Sequence, residues 1–451
     1  MTPAVSLEGY SYTVKVFGCQ MNKHDGERVC GLLESCGATP ASDVDDSDII
    51  VYLTCCVREA ADVRALGQVA SLKNSTAPHG KKVICIGGCI GQRDGAALID
   101  ELPFVSVVFG TMNIESLPAL VAAALAGEGP VVETRESLEH FSSELPCRRE
   151  QPWHAWVSIT SGCNNFCSYC IVPYVRGRER SRSLESIEAE IASLAEQGVA
   201  EITLLGQNVN SYGRDLYGAP RFADVLHMAG QSGIPRVRFA TSHPKDLSDE
   251  TIQAMATEPA VMPQLHLPVQ SGSDPILKAM HRRYTRDHYL RLVEKVHEAV
   301  PGILLSTDVI VGFPGETEAD FADTLTLVQQ VGYAQAFTFI YSKRAGTPAA
   351  TMPDSTPRDV IQERFDRLVE AVQQSAWEAN QPFLGTEVDV LVEGLSKRDK
   401  ALLVGRTPHN QVVHAPLPAG RGIDSLLGTF VPVHIDVART WYLSGQVVGH
   451  E

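Results

Sequence analysis

The sequence lacks any apolar run long enough to cross a membrane. Its longest hydrophobic stretches, at residues 49–53 and 83–86, have the length of strands, whereas a spanning helix needs about 20 apolar residues. The first residues also lack the charged region followed by an apolar block that marks a secretory signal. These absences argue against a membrane or secreted protein and predict a cytoplasmic location without a membrane partner.

Positive charge is also scarce. The chain has 38 Lys and Arg against 54 Asp and Glu, which gives a formal net charge of −16 at pH 7. A protein that held nucleic acid by charge alone would be basic, so RNA binding would have to rest on local patches. Two basic stretches are expected to be solvated surface, and the arginines at 176–182 are also candidate RNA contacts. The first, which lies on both sides of residues 163–170, comprises Arg148, Arg149, Arg176, Arg178, Arg180 and Arg182. The second comprises His281, Arg282, Arg283 and Arg286.

Eleven cysteines need a role other than disulfides, because the cytosol keeps thiols reduced. Cys163, Cys167 and Cys170 form a CxxxCxxC motif directly after a predicted strand at 156–160. Zinc sites usually close with four ligands, whereas three thiolates on a four-iron cluster leave one iron open. S-adenosylmethionine can chelate that iron through its amino and carboxylate groups. The motif therefore predicts a catalytic iron–sulfur cluster, with a zinc or structural site as the alternative.

A second set of cysteines follows three predicted strands. The strands lie at 13–17, 48–53 and 82–86, and Cys19, Cys55 and Cys89 come just after them. Helical periodicity at 25–36 indicates strand–helix alternation and hence a parallel sheet, beyond whose carboxyl ends ligands gather. We therefore expect these three thiols to converge. Cys56, beside Cys55, and Cys85, inside the third strand, are the next candidates, but strand alternation predicts that Cys85 points away from the set or is part of the core. Buried hydrophobic positions are predicted for Cys30, Cys36 and Cys147.

The length predicts two or three domains, because 451 residues exceed what a single core usually holds. We predict an amino-terminal α/β domain with a parallel sheet at 10–125 and a polar linker at 126–150. A central domain at 151–380 contains six predicted strand–helix units, which favour a partial (βα)6 barrel. Five short predicted strands at 381–449 favour a small antiparallel β-barrel.

Several local sequences resemble one known family nearly end to end. They are GCQMN at 18–22 with Asp25, TCCVRE at 54–59, GC at 88–89 and FGTMNI at 109–114, together with the CxxxCxxC motif. These match the methylthiotransferases, a family of radical S-adenosylmethionine enzymes, and the carboxyl-terminal barrel resembles TRAM, an RNA-binding module. The resemblance implies two [4Fe-4S] clusters, an auxiliary one on Cys19, Cys55 and Cys89 and a radical one on Cys163, Cys167 and Cys170.

The resemblance also implies a reaction. One molecule of S-adenosylmethionine is cleaved to a radical that takes a hydrogen from carbon 2 of an adenine. A methylthio group, whose methyl comes from a second S-adenosylmethionine, takes the place of that hydrogen. Within the family the chain is most similar to enzymes acting on N6-isopentenyladenosine in the tRNA anticodon loop. Threonylcarbamoyladenosine in tRNA or an aspartate of a ribosomal protein are alternative substrates. A flavodoxin or ferredoxin would supply electrons to a monomer. Non-catalytic electron transfer or RNA binding are alternatives of another class.

Further site residues are expected past strand ends and in the carboxyl-terminal barrel. Polar side chains past barrel strands line the site in similar enzymes, although some cap helices instead. For S-adenosylmethionine the candidates are Tyr169, Gln207, Asn208, Gln270, Ser271 and Asp308. For RNA phosphates they are Lys397, Arg398 and Arg406. A packing or oligomerisation role is the alternative for this barrel.

Overall fold

A computed structural model describes residues 5–56, 59–80, 82–135, 145–354, 356–418 and 420–449. Residues 57 and 58 of the signature at 54–59, and 136–144 of the predicted linker, lie outside the described residues. By its internal contacts the chain divides into two compact units. One comprises Met1–Glu150, Thr160–Phe166 and Cys170–Arg182, and the other comprises Gln151–Ile159, Cys167–Tyr169 and Ser183–Glu451. None of the described helices is both long enough and apolar enough for a membrane span.

A six-stranded parallel sheet forms the centre of the first unit, as predicted. The strands run in the order β2-β1-β3-β4-β5-β6. β3 and β4 are buried along their whole length, as parallel strands covered on both faces are. The bounds are β1 Ser11–Val16, α1 Gln20–Ser35, β2 Thr39–Pro40, β3 Ile49–Thr54, α2 Glu59–Ser71, β4 Val83–Gly88, α3 Cys89–Asp94, α4 Ala97–Glu101, β5 Val107–Phe109, α5 Leu117–Leu125 and β6 Val131–Glu133.

The predicted linker at 126–150 is wrong where the structure describes it. β6 pairs with β5 at the edge of the sheet. Farther on, the segment 145–150 lies on α1, where the Arg148 amide donates to the carbonyl of Glu27 and Gly31 leaves no room for a Cβ beside Pro146. A three-residue strand is too short to show a periodic pattern, so the sequence alone did not reveal it.

Two three-stranded parallel sheets form the central part, in the orders β11-β10-β7 and β12-β13-β14. A parallel bridge between Val237 and Val261 links β11 to the residues before β12, which fits the predicted partial barrel. The bounds are β7 His154–Ser158, β8 Thr160–Ser161, α6 Val172–Val175, β9 Arg180–Ser181, α7 Leu184–Glu196, β10 Glu201–Leu205, α8 Arg214–Tyr217, α9 Phe222–Gly230, β11 Arg236–Phe239, α10 Asp249–Thr257, β12 Gln264–His266, α11 Asp274–Ala279, α12 Arg286–Ala299, β13 Leu304–Val311, α13 Glu318–Val331, β14 Gln335–Ile340 and α14 Arg358–Asn380.

The elements β8, α6 and β9 belong to the first unit. β8 and β9 pair antiparallel, so the residues between them form a closed loop. Ile171 and Val175, beside and within α6, pack with Ile86, Ile90 and Val108 in the core on one face of the first sheet. The segment that follows the CxxxCxxC motif is therefore held by the amino-terminal sheet.

A closed five-stranded barrel forms the carboxyl-terminal part, as predicted, in the order β15-β16-β17-β19-β18. Its strands are β15 Glu387–Leu395, β16 Leu402–Arg406, β17 Val412–Pro416, β18 Phe430–Ala438 and β19 Leu443–Val447. The pairing of Leu391 with Arg406 and of Ala438 with Leu443 puts the loops 407–411 and 439–442 at one end, here called the near end. The loop 396–401 lies at the opposite, far end.

The near end of the barrel is fastened to β11 by two arginines. Arg236 donates to the carbonyls of Arg406 and Asp389, each at 2.8 Å. Arg238 donates to the carbonyls of Thr407 and Pro408 at 2.9 and 2.8 Å and forms a 2.7 Å ion pair with Glu201. These guanidiniums are buried, and the barrel carbonyls accept the hydrogen bonds that their N–H groups need.

Candidate iron–sulfur and cofactor sites

The cysteines of the amino-terminal set follow three neighbouring strands. Cys19 precedes α1 after β1, Cys55 directly follows β3, and Cys89 directly follows β4 and begins α3. Because β1, β3 and β4 are adjacent and parallel, their carboxyl ends lie side by side at one edge of the sheet. The structure thus brings these residues to the one edge that the strand–helix pattern predicted.

Two side chains tie the three strand ends together. The Asn22 amide donates to the carbonyls of Phe17 and Thr54, each at 2.8 Å. The Thr54 hydroxyl donates to the Gly87 carbonyl at 2.6 Å and accepts from the Ile90 amide at 3.1 Å. The loops that carry the cysteines are therefore fixed by buried hydrogen bonds, which suits a preformed ligand set.

The thiols at this edge interact in pairs. Cys55 hydrogen-bonds to Cys19, which lowers the pKa of the Cys19 thiol, with help from the positive charge of Arg176 and against the effect of burial. Cys56 hydrogen-bonds to Cys89, which lowers the pKa of the Cys89 thiol and raises that of Cys56. Cys55 and Cys56 therefore each hydrogen-bond to another thiol at this edge, and the choice between them as a ligand stays a prediction.

Cys85 faces away from this set, as predicted. It is fully buried in the core that contains Val29 and Leu33 of α1, whereas Cys56 and Cys89 pack in the core on the other face of the sheet. Cys30 and Cys36 pack against the same core as Cys85, but they are only partly buried, whereas burial was predicted.

A buried arginine lies beside the thiols. The Arg176 Nη2 atom donates to Asn22 Oδ1 and Asp25 Oδ2, each at 2.8 Å. Arg176 and Arg182 are both buried, so the prediction that these arginines are solvated surface or RNA contacts is wrong. The positive charge of Arg176 favours the thiolate forms of Cys19 and Cys89, the forms that bind iron. The donor set and its charge therefore fit an iron–sulfur cluster.

Arg176→Gln should lower the free energy of unfolding by about 3 kcal/mol, because it leaves the buried Asp25 carboxylate without a cation. The double variant Arg176→Gln with Asp25→Asn should recover most of that loss, since no unpaired charge remains. Urea unfolding measures both, and Arg178→Gln, at an exposed position, is the control. Equal losses in the single and double variants would contradict the ion-pair explanation.

The residues of the CxxxCxxC loop have hydrogen-bond partners within their own units. Within the first unit, the Cys163 amide donates to the Gly177 carbonyl at 3.2 Å, and Gly162, at φ +80°, leaves no room for a Cβ beside the Arg178 carbonyl. Within the second unit, Ser168 donates from its amide to Met280 and from its hydroxyl to Ala279. Cys163 and Cys167 are buried and Cys170 is partly buried.

Arg282 contacts the motif within the second unit. Its Nη1 atom donates to Cys167 Sγ at 3.6 Å, and its other nitrogens donate to the Pro268 carbonyl and the Tyr284 hydroxyl. Arg282 is buried, so its predicted place on a solvated surface is wrong. A hydrogen bond from a buried side chain to a cysteine sulfur can fix the orientation of a ligand, so the arrangement fits a metal ligand at Cys167.

Several predicted cofactor contacts lie at the carboxyl ends of the central strands. Asn208, after β10, is buried and donates to Asp246 at 2.8 Å, while its Oδ1 atom has no hydrogen-bond partner among the described residues. The Ser242 hydroxyl, after β11, is buried and equally unpartnered within the described chain. Buried polar atoms without partners mark places where a ligand could bind, so this edge fits S-adenosylmethionine.

The remaining predicted contacts differ in their freedom to bind a ligand. Ser271 is buried with its hydroxyl 3.3 Å from that of Thr324, which favours a structural role. Asp308 lies 3.6 Å from His266 Nε2, and Gln207 is partly buried. Tyr169 packs against the small core around Phe313. A role in cofactor binding stays a prediction for all of them.

Backbone strain at the same edge was not foreseen. Gln270, after β12, has φ +71°, and Thr241, after β11, has φ +68°. A β-branched residue in the left-handed region is a genuine outlier, and such strain gathers at functional sites. Sequence periodicity carries no signal for it.

Another side-chain cluster lies on α1. His24, Glu27 and Cys147 bring ligand-type atoms within 4.8 Å of one another. Cys147 is exposed, so its predicted burial is wrong, since the segment 145–150 lies along the outside of α1. Burial lowers the pKa of His24 most, and the positive charges of Arg28, Arg176 and Arg182 lower it further. Arg28 and Arg149 face Cys147. These charges disfavour a bound cation.

The predicted RNA contacts lie at both ends of the carboxyl-terminal barrel. Lys397 and Arg398 are exposed in the far-end loop. Arg406 is at the near end, where it pairs with Glu393 at 3.2 Å and donates to Asn410. An arginine already paired offers less to a phosphate than a free one does, and its RNA role stays a prediction.

Comparison with known proteins places these sites in families. The chain matches the Radical SAM superfamily over residues 157–328, the Uncharacterized protein family UPF0004 over 11–110 and the TRAM domain over 382–448. Among solved structures, a radical S-adenosylmethionine methyltransferase, TsrM, from Kitasatospora setae has a TM-score of 0.56 at 14% identity, covering 76% of this chain and 77% of that one. This similarity supports the fold.

Curated relatives are much more similar in sequence. The tRNA-2-methylthio-N(6)-dimethylallyladenosine synthase of Acidothermus cellulolyticus is 48% identical over 444 residues, which cover 97% of this chain and 88% of the relative. The enzyme of the same name from Thermoanaerobacter sp. is 46% identical, covering 97% and 92%. Similarity of this extent leaves little room for a different fold or domain order. The chain therefore belongs to the tRNA-2-methylthio-N(6)-dimethylallyladenosine synthase family of radical S-adenosylmethionine enzymes.

Proposed function

We propose that the chain converts N6-isopentenyladenosine in the anticodon loop of tRNA to its 2-methylthio derivative, using two molecules of S-adenosylmethionine. The observation that carries the proposal is the meeting of Cys19, Cys55 and Cys89 at one sheet edge, in a chain that also has the CxxxCxxC motif. Two three-thiolate sets leave an open iron position at each cluster. One position suits the cofactor and the other suits the transferred sulfur.

The chain's own residues would hold two [4Fe-4S] clusters. Cys163, Cys167 and Cys170 are the proposed ligands of one, with Arg282 donating a hydrogen bond to the Cys167 sulfur. Cys19, Cys55 and Cys89 are the proposed ligands of the other, with Arg176 supplying a buried positive charge. When bound, the first cluster supplies the electron that cleaves S-adenosylmethionine and the second supplies an attachment point for sulfur.

The polar edge of the central strands would orient S-adenosylmethionine. Asn208 and Ser242 each offer a buried atom that lacks a partner within the described chain. Gln207, Gln270, Asp308 and Tyr169 are further proposed contacts. The target base must be unpaired to reach such a site, which an anticodon-loop base satisfies.

The alternatives are less well supported. No residue described above favours threonylcarbamoyladenosine or a ribosomal-protein aspartate as the substrate. The curated relatives reported carry the dimethylallyladenosine name. Electron transfer or RNA binding alone would leave the polar strand edge without a purpose. We further propose a cytoplasmic monomer that receives electrons from a flavodoxin or ferredoxin.

The test is nucleoside mass spectrometry of tRNA. The anaerobically reconstituted chain is incubated with S-adenosylmethionine, a reductant and tRNA that carries isopentenyladenosine. We expect the modified nucleoside to gain the mass of a methylthio group in place of one hydrogen. tRNA that carries unmodified adenosine at the same position is the control. If the methylthio product formed on tRNA that carries threonylcarbamoyladenosine and not on tRNA that carries isopentenyladenosine, the proposed substrate would be refuted.

A further inference from the structure

Three large aromatic side chains are exposed together at the near end of the carboxyl-terminal barrel. Trp377 on α14 is 43% exposed, and Trp441 and Tyr442 in the loop before β19 are 52% and 40% exposed. With Arg439 they line one recess of about 320 Å³. We call Trp377, Arg439, Trp441 and Tyr442 the aromatic patch. Exposed tryptophans in a group are unusual, because each would gain by burial.

The patch is held rigidly. The Arg439 amide donates to the Tyr442 carbonyl at 2.9 Å, which closes the turn 439–442. The amide of Asn380, a buried residue at the end of α14, donates to the carbonyls of Arg439 and Thr440 at 2.7 and 3.2 Å. The Tyr442 ring also meets the His414 ring edge to face at 5.4 Å. The loop is therefore fixed with its aromatic rings in solvent, which lowers the entropy lost when a ligand binds.

The chemistry of the patch matches unpaired nucleotides. Single-stranded bases stack on exposed aromatic rings, and arginine adds phosphate contacts and stacking. Arg439 is exposed and its guanidinium has no ion pair within the part of the chain that the structure describes, so its charge is available. In a chain with a net charge of −16, an unneutralised arginine beside exposed rings is a local attraction for RNA.

We infer that the aromatic patch is a nucleobase-binding site that stacks unpaired nucleotides of the RNA substrate. The inference rests on the proposed function, in that tRNA is the substrate, and it names a surface other than the basic loop. Lys397 and Arg398 lie at the far end of the barrel, whereas the patch lies at the near end beside α14 and β11. Stacking at the patch would give the loop of the RNA a fixed position that charge alone does not give.

The test measures binding of the full reconstituted chain to two labelled RNAs, an anticodon stem–loop and a fully paired duplex of equal length. Trp441→Leu keeps an apolar side chain but removes the large ring, and it should weaken stem–loop binding roughly tenfold. Trp441→Phe should bind within about threefold of the parent, since a smaller ring still stacks. Neither variant should change binding to the duplex. Leu216→Ala, at an exposed aliphatic position on α8, is the control.

Each other outcome overturns the inference. Equal stem–loop affinities of Trp441→Leu and the parent would remove the patch from RNA binding while leaving the proposed function intact. Equal losses for stem–loop and duplex would show a contact that does not need unpaired bases. A change of oligomeric state in Trp441→Leu, with unchanged RNA binding, would make the patch a protein interface. Absence of RNA binding by the parent would overturn this inference and the proposed function together.

Discussion

Replacing Cys163, Cys167 and Cys170 together with alanine should abolish cleavage of S-adenosylmethionine completely. The same variant should retain about half of the iron, falling from about eight irons per chain to about four. The reason is that Cys19, Cys55 and Cys89 lie at the edge of a separate sheet. The hydrogen bonds of Asn22, Thr54 and Arg176 that hold this edge do not involve the side chains of Cys163, Cys167 and Cys170. Iron analysis and release of 5′-deoxyadenosine measure the two effects.

The control for this experiment is Cys30→Ala with Cys36→Ala. Cys30 lies on α1 and Cys36 directly follows it, and both pack against one core of the first sheet, whereas Cys56 and Cys89 pack in the core on the other face. They should leave iron content and cleavage unchanged. Loss of all iron in the triple variant would contradict two separate clusters, and so would a parent that never binds more than about four irons.

Cys89→Ala should block formation of the methylthio product while cleavage of S-adenosylmethionine continues. Cys89 begins α3 directly after β4, and its thiolate is favoured by its hydrogen bond from Cys56 and by the charge of Arg176. Removing it takes one ligand from the auxiliary set without touching the CxxxCxxC loop. Product formation is measured by nucleoside mass spectrometry and cleavage by 5′-deoxyadenosine release in the same reaction.

Cys85→Ala is the matched control, because Cys85 lies on β4, the strand that Cys89 follows, but faces the core on the opposite side of the sheet. It should keep product formation, with only a loss of stability from the small cavity. Comparison of Cys55→Ala with Cys56→Ala then decides between two thiols that each hydrogen-bond to another cysteine at this edge. A product-forming Cys55→Ala beside an inactive Cys56→Ala would overturn the proposed ligand assignment.

The positions of the cysteines could be predicted because they depend on local rules. A strand followed by a helix indicates a parallel sheet, and residues past the ends of adjacent parallel strands must come together. Cys19, Cys55 and Cys89 obey this rule because β1, β3 and β4 are neighbours. The start of α1 was harder to predict. The helix begins at Gln20 rather than near residue 25, because its first turn is held by polar contacts such as those of Asn22, which apolar periodicity does not detect.

The buried arginines could not be predicted from the sequence. Arg176 lies in a run of charge that normally marks a solvated surface, yet its partners Asn22 and Asp25 are about 150 residues away along the chain. The same holds for Arg282, whose bond to Cys167 spans 115 residues. Local patterns report on the neighbours of a residue in sequence, and these ion pairs and hydrogen bonds are decided by the tertiary fold.

The fastening of the carboxyl-terminal barrel by Arg236 and Arg238 has a consequence for synthesis of the protein. The carbonyls that these arginines bind, at Arg406 to Pro408, are made about 170 residues later. At ordinary ribosome speeds that delay is on the order of ten seconds. During this interval β11 can join its sheet and Arg238 can pair with Glu201, but the hydrogen bonds to these barrel carbonyls cannot yet form. The central part therefore gains these buried hydrogen bonds only after the barrel has been synthesised.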